Sequence, residues 1–239
     1  MTPEDLLAEV AGELDWLDPP PVFIGGSTIF LFLDAFGSDQ LRPTDDVDCI
    51  LRDVASAAQW ALFEEELRSR GWKPDPDGPI CRYRSPSGKK VDLMPRRPEA
   101  LGFAGTWYPA ATEHTVLRNL SGVAVRTPTP PLLFACKLEA WQDRGRKEPE
   151  VSEDLEDVVA LLDGCSGLVE QIEVAEPDLR SWIGAAIREI DADRRLREIA
   201  LAHLPIAGGR VEREERLLNR LRRLSALAAA QTGEEAVEP

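Results

Sequence analysis

The stretch from residue 22 to residue 51, VFIGGSTIFLFLDAFGSDQLRPTDDVDCIL, decides the fold. Its first three residues are β-branched or aromatic, which predicts a short buried strand. Gly25 and Gly26 follow, and two glycines predict a sharp turn in which the backbone can approach a ligand closely. The stretch therefore begins as a strand that leads directly into a glycine turn.

A helix is expected immediately after the glycine turn. Ser27 or Thr28 can cap its N-terminus, and hydrophobic residues recur at a spacing of three to four. Because the N–H groups at a helix N-terminus attract anions, this turn is a candidate phosphate site. The hydrophobic residues of the expected helix are Ile29, Phe30, Leu33 and Phe36.

Two acidic residues mark the next predicted strand. Asp46 and Asp48 flank Val47, and residues two apart on a strand point to the same face, so their carboxylates lie side by side. Asp92, in the segment KKVDLM at 89–94, joins them if the two strands are neighbours. Two carboxylates at such a short distance repel each other. Mg²⁺ can join them, because it prefers one or two carboxylates together with phosphate oxygens. The pattern predicts a site for Mg²⁺ and a phosphorylated substrate.

These motifs resemble those of a known superfamily. GGS, then DDVD, then VDLMP is similar to the nucleotidyltransferases with a DNA polymerase β-like fold. Within that superfamily, RPTDDVD, KLEAW and SEDLEDVVALL resemble the AbiEii/MenT-type toxins of bacterial toxin–antitoxin systems. The resemblance covers residues 22–163. It implies an α/β (α+β) fold in which a mixed-sheet core is followed by a helical C-terminal half.

The resemblance also implies a reaction. A nucleoside monophosphate is transferred from an NTP to an acceptor hydroxyl with Mg²⁺ as cofactor. The implied acceptor is the 3′ end of tRNA, the implied outcome is growth inhibition, and the implied protein partner is a cognate antitoxin.

The resemblance places a lysine and an acid of the helical half at the active site. Lys137 lies on a largely apolar predicted helix and would contact the triphosphate, although a solvated lysine is the alternative. Asp157 is preferred over Asp154 as the acid of the helix that Ser152 caps, because capping explains Asp154 better. The predicted metal ligands are Asp46, Asp48 and Asp92. The predicted phosphate contacts are Gly25, Gly26, Ser27 and Arg42, the last of which is otherwise a solvated loop residue.

Composition limits the remaining choices. The chain has 239 residues and a net charge of −15, which is unusual for a protein that binds RNA, although local basic patches can do so. The N-terminus is acidic and no hydrophobic run is long enough for a bilayer, so we expect a cytoplasmic protein without a membrane partner. The four cysteines are scattered, which predicts buried thiols rather than a zinc site or disulfides.

The chain order predicts two domains and a tail. A proline cluster at 128–131 separates an α/β core, residues 1–127, from a helical domain, residues 128–230. An amphipathic helix is expected at 55–70, and a hairpin that includes Arg82 is the most basic local stretch. That hairpin and the arginines of the last helix are either RNA contacts or solvated surfaces. Residues 231–239 are small and acidic, which is typical of disorder.

Two other functions remain open from the sequence. The same fold can modify a small hydroxylated molecule such as an aminoglycoside, and an acidic protein suits a cationic drug. A non-catalytic regulatory or binding module is the third possibility, but it gives no reason to retain all three carboxylates.

Overall fold

The computed structural model describes residues 2–34, 44–52, 54, 56–101, 105–206 and 209–228. The chain divides into two compact units. The described part of the first unit lies within 2–31 and 44–136, and that of the second within 32–34 and 137–228. The division falls inside one helix, between Cys136 and Lys137. Within the described ranges, no helix has the length and apolar character needed to cross a bilayer.

A five-stranded mixed sheet forms the centre of the first unit, in the order β1-β2-β5-β4-β3. Strands β2 and β5 are parallel, whereas the other three pairings are antiparallel. A separate antiparallel hairpin is formed by β6 and β7. The strands are β1 (Val22–Ile24), β2 (Asp46–Leu51), β3 (Lys73–Pro74), β4 (Arg82–Arg84), β5 (Lys90–Pro95), β6 (Thr115–Leu120) and β7 (Val123–Pro128).

The described residues form α-helices in both units. The first three belong to the first unit, and the fourth contains the division. The helices are α1 (Pro3–Glu13), α2 (Ala57–Ser69), α3 (Tyr108–Glu113), α4 (Pro130–Arg144), α5 (Glu153–Gly164), α6 (Leu168–Glu173), α7 (Pro177–Ala192), α8 (Arg194–Ala202) and α9 (Arg210–Leu227). The predicted class, a mixed-sheet α/β core followed by a helical C-terminal half, is confirmed.

The core of the first unit holds the sheet against α1 and α2. Thr2 caps α1 in a capping box with Asp5, and Leu7, Val10 and Leu14 are fully buried. On α2, the predicted face of Trp60, Phe63 and Leu67 is buried in the same cluster. These two helices hold the sheet from which the acidic side chains project. All four cysteines are buried free thiols, as predicted.

The helix expected after the glycine turn is instead a short 3₁₀ helix, Gly26–Leu31. The Thr28 hydroxyl donates a hydrogen bond to the Gly25 carbonyl (2.9 Å), so the side chain satisfies a group that an α-helix would otherwise use. β-Branched and aromatic residues follow, and they favour an α-helix least among ordinary residues. This short 3₁₀ helix stands where the N-terminus of an α-helix was expected to bind phosphate, and the phosphate contact stays a prediction. Phe36 lies outside the described residues.

The second unit is helical, and an ion network joins two of its helices. Asp163, at the end of α5, is fully buried; it accepts a hydrogen bond from Arg216 (2.9 Å) and lies 3.4 Å from the guanidinium of buried Arg213. Arg220 of α9 donates to the Leu162 and Asp163 carbonyls at the C-terminus of α5. These α9 arginines therefore stabilise the α5 end, which favours a structural role over the RNA-facing alternative.

Candidate active site

Four side chains are paired across neighbouring strands of the sheet in the first unit. Ile24 of β1 pairs with Asp48 of β2, Asp48 pairs with Asp92 of β5, and Asp92 pairs with Arg82 of β4. Directly paired residues on neighbouring strands point to the same face and lie in contact. The adjacency of Asp48 and Asp92, which the sequence could only infer from strand pattern, is confirmed. Asp46 lies two residues before Asp48 on the same face, so Asp46, Asp48 and Asp92 together form an acidic row.

The glycine turn touches this row through Asp48. Gly25 has a φ of +82°, and a Cβ built on it would lie 1.9 Å from Oδ2 of Asp48. No side chain larger than hydrogen fits there unless the carboxylate moves. The glycine therefore serves two needs, the left-handed backbone of the turn and the space that Asp48 occupies.

Arg82 of β4 lies next to Asp92, at one end of the acidic row. Its Nε and Nη2 donate to the two carboxylate oxygens of Asp92 at 2.7 and 2.8 Å, and Nη2 also donates to Asp46 Oδ2 at 3.0 Å. The hydrogen bonds that Arg82 donates to Asp92 raise the pKa of the guanidinium further, so Arg82 stays charged. This ion pair was missed in the sequence, where Arg82 was grouped with a basic hairpin. The available signal was the pairing of a charged strand residue with Asp92 across the hairpin.

The oxygen donors of the acidic row fit the predicted Mg²⁺ in part. Carboxylate oxygens are the ligands that Mg²⁺ prefers, and Gly25 leaves room for one of them. Within the described part of the chain, however, no group of three His, Cys, Asp or Glu side chains is close enough to hold a metal. The row therefore fits an ion that completes its coordination with phosphate oxygens and water, and does not fit one held by protein side chains alone. The assignment of Asp46, Asp48 and Asp92 as three metal ligands stays a prediction.

Two thiols near the row take no part in such a site. Burial, followed by the negative charges of Asp92 and Asp48, raises the pKa of Cys81 to about 12. Burial and Asp48 likewise raise the pKa of Cys49 well above its ordinary value. A thiol must lose its proton to bind a metal or attack a substrate. Both thiols are therefore held in the protonated form, chiefly by burial and secondarily by the negative charges of Asp48 and Asp92.

A second group of predicted residues meets in the second unit. Lys137 of α4 is only 6% exposed, and its Nζ lies 2.6 Å from Asp157 and 3.3 Å from Asp154. Arg144, at the end of α4, donates to both Asp154 oxygens at 2.6 and 3.0 Å. Burial opposes ionisation of Asp154, but Arg144 and Lys137 outweigh it and lower its pKa. Lys137 and the two candidate acids of α5 therefore form one buried ion group, which the sequence did not predict.

The charges of this second group balance, with two cations against two carboxylates. Ser152 caps α5 by accepting from the Leu155 N–H (3.3 Å), and Asp154 follows in the first turn, so the capping alternative for Asp154 does not describe its contacts. Both acids contact Lys137. The choice between them as the active-site acid stays open, and so does the predicted contact of Lys137 with a triphosphate.

The remaining predicted residues are placed as follows. Gly26 is half-buried at the start of the 3₁₀ helix. Ser27 is fully buried, and among the described residues its hydroxyl has no hydrogen-bond partner. A phosphate can reach that hydroxyl only if the turn opens. Arg42 and the predicted tail at 231–239 lie outside the described residues.

Comparison with known proteins gives a limited result. No family model matches the chain, and no curated protein matches it. Among solved structures, it is similar to an antigenic nucleotidyltransferase-like protein from Paracoccidioides brasiliensis, with 19% identity, 92% of each chain covered and a TM-score of 0.48. It is also similar to JHP933 from Helicobacter pylori, with 14% identity, 96% of this chain and 93% of that chain covered, and a TM-score of 0.45.

Proposed function

We propose that this chain is a Mg²⁺-dependent nucleotidyltransferase that moves a nucleoside monophosphate from an NTP to an acceptor hydroxyl. One observation carries the proposal: Asp48 and Asp92 are paired in register on parallel strands, and Gly25 makes room for Asp48. Paired carboxylates on a sheet are destabilising unless a cation joins them. Arg82 already neutralises part of this charge at Asp92 and Asp46, and a metal–triphosphate would supply a second cation beside Asp48 together with the oxygen ligands that complete its coordination.

The residues of the row then have distinct tasks. Asp48 and Asp92 would hold Mg²⁺ with Asp46 beside them, and the ion would offset the charge of the triphosphate. The acceptor oxygen forms a bond to the α-phosphorus while the bond to the β-phosphate oxygen breaks, and pyrophosphate leaves. Asp92 accepts the proton of the attacking hydroxyl. Gly25 and Gly26 would let the backbone approach the phosphates.

The acceptor proposed first is the 3′ end of tRNA, with the chain acting as the toxin of a toxin–antitoxin pair. This part rests on the resemblance of RPTDDVD, KLEAW and SEDLEDVVALL to the AbiEii/MenT-type toxins. The charge of −15 favours a different acceptor, a cationic small molecule such as an aminoglycoside.

The test is transfer of label from each of the four NTPs, radiolabelled at the α-phosphate, to total bacterial RNA in Mg²⁺. Asp48→Asn is the inactive variant. Asp45→Asn is the matched control, because Asp45 is a neighbouring aspartate that is exposed and pairs with Lys90 (2.5 Å). Label in a tRNA-sized band with wild type and Asp45→Asn, but not with Asp48→Asn, supports the proposal. Label on an aminoglycoside instead of RNA moves it to the second acceptor, and no label on either overturns it.

A further inference from the structure

Arg82 makes close charged contacts with two carboxylates of the acidic row. Its guanidinium binds both oxygens of Asp92, and the same Nη2 reaches Asp46. Bidentate guanidinium–carboxylate pairs are among the strongest charge-assisted hydrogen bonds. The side chains of Asp92 and Arg82 are only 12% and 23% exposed, so water screens the pair weakly. These are carboxylate oxygens that the proposed function assigns to Mg²⁺.

The fold holds Arg82 in this position from both sides. Its backbone N–H donates to the Pro79 carbonyl (2.8 Å), and its carbonyl accepts from Asp75 (2.9 Å). A Cβ on Gly78 would meet the Arg82 side chain at 2.5 Å, so the glycine leaves space for the arginine stem. Arg82 is therefore directed at the row by the turn that precedes β4, rather than resting there as a loose surface side chain.

Neighbouring cations of the same strands bind elsewhere. Arg84, two residues along β4, pairs with Asp75 at 3.1 Å. Lys90 of β5 pairs with exposed Asp45, and Lys89 pairs with Glu9 (3.3 Å). Within the described residues, the sheet thus directs Arg82 at the row while its neighbours balance other acids. Arg84 provides a matched comparison for any test of Arg82.

We propose that Arg82 is an internal counter-ion that competes with the divalent cation for Asp92 and Asp46 and passes to the triphosphate when nucleotide binds. The inference rests on the proposed function in taking the row as the metal site. Arginine stays charged, so a guanidinium displaced from Asp92 needs another anion. Phosphate oxygens accept the same bidentate bonds as a carboxylate. Arg82 is then a positioning residue that couples metal binding to nucleotide binding.

The coupling has a defined sign. Metal alone must displace Arg82 without giving it a new partner, so metal binds weakly in the absence of nucleotide. Metal with a triphosphate supplies that partner, so each ligand strengthens the binding of the other by the same factor. The resting protein would therefore remain free of divalent cation until an NTP arrives.

The test is Mn²⁺ binding, measured by electron paramagnetic resonance with and without a non-hydrolysable α,β-methylene NTP. Mn²⁺ is the spectroscopic substitute for Mg²⁺. Arg82→Gln removes the competitor, so without nucleotide it should bind Mn²⁺ at least about tenfold more tightly than wild type, because a charge-assisted pair no longer has to be broken. Arg82→Lys, which keeps the charge but not the bidentate geometry, should fall between them. The factor by which nucleotide raises Mn²⁺ affinity should shrink in Arg82→Gln.

Two controls locate the effect. Arg84→Gln should bind Mn²⁺ like wild type, and adding Asp92→Asn to Arg82→Gln should abolish the gain in affinity. Arg82→Gln should also melt at a lower temperature in EDTA and recover more than wild type on adding Mn²⁺. This recovery shows that the variant is folded.

The inference is overturned if Arg82→Gln and Arg82→Lys bind Mn²⁺ no more tightly than wild type, or if Arg84→Gln gains as much as Arg82→Gln. Its failure is distinguishable from that of the proposed function. A gain in Mn²⁺ affinity without nucleotidyl transfer to any acceptor leaves the counter-ion in place and removes the proposed reaction. Transfer without that gain does the opposite.

Discussion

Replacing Gly25 with alanine perturbs the contact between the glycine turn and Asp48. The added Cβ meets Oδ2 of Asp48 at 1.9 Å and its Cγ at 2.7 Å, so the carboxylate must move. An L-residue at this positive φ costs about 1–2 kcal/mol by itself. Forcing a methyl group into an occupied space costs a further ~1–3 kcal/mol. We expect the free energy of unfolding to fall by about 2–5 kcal/mol in Gly25→Ala.

Gly88→Ala is the matched control for the backbone part of that cost. Gly88 has a φ of +85°, and a Cβ there meets nothing within 4 Å. It should therefore lose only about 1–2 kcal/mol. Both variants are measured by urea denaturation, and both are titrated with Mg²⁺ and NTP. Gly25→Ala should lose nucleotide affinity, whereas Gly88→Ala should keep it.

A double variant separates the clash from the backbone strain. Asp48→Ala removes the two closest atoms, so Gly25→Ala should cost less in an Asp48→Ala background than in wild type. The reasoning is refuted if Gly25→Ala and Gly88→Ala are equally destabilised and bind nucleotide equally. In that case Asp48 does not depend on the space that the glycine leaves.

Other variants test the second unit. Lys137→Ala leaves Asp154 and Asp157 buried without their shared lysine, so it should lose about 3–5 kcal/mol of stability, against less than about 0.5 kcal/mol for exposed Lys147→Ala, both by urea denaturation. Asp154 has a lowered pKa, so its ion pairs contribute stability at pH values above its unfolded pKa of about 3.8, and this stability is lost as the pH falls through the folded pKa. Asp154→Asn should therefore flatten the acid side of the curve of stability against pH. An unchanged curve contradicts the role given to these ion pairs. Asp163→Ala leaves Arg213 buried and should lose about 3–5 kcal/mol, whereas Glu170→Ala breaks an exposed pair with Arg223 and should lose no more than about 1 kcal/mol.

The acidic row was predictable because a strand repeats every two residues. Asp48 and Asp92 are polar positions between buried neighbours, and that alternation fixes which side chains share a face. The buried face of α2 and the capped start of α1 were predictable for the same local reason. Periodicity and capping depend on residues within a few positions of each other.

The features that were missed depend on contacts or competing local bonds. The partner of Arg82 is set by the register of β4 with β5, and an arginine in a basic hairpin is as consistent with solvent as with a carboxylate. The prediction of an α-helix after Gly26 was wrong because the Thr28 hydroxyl donates a hydrogen bond to the Gly25 carbonyl. The spacing of hydrophobic residues does not reveal that bond. The burial of Ser27 likewise follows from packing and not from its own sequence neighbourhood.

The most direct test of the central claim, that the Asp48–Asp92 row binds a metal–triphosphate, is calorimetric titration of the protein with each NTP in Mg²⁺. Wild type and Asp45→Asn should bind one or more NTPs with equal affinity, and EDTA should abolish that binding. Asp48→Asn should bind the NTP at least about tenfold more weakly than wild type, because the variant loses a charged carboxylate that would hold the metal. If wild type binds no NTP in Mg²⁺, or if Asp48→Asn binds as tightly as Asp45→Asn, the row is not the nucleotide site.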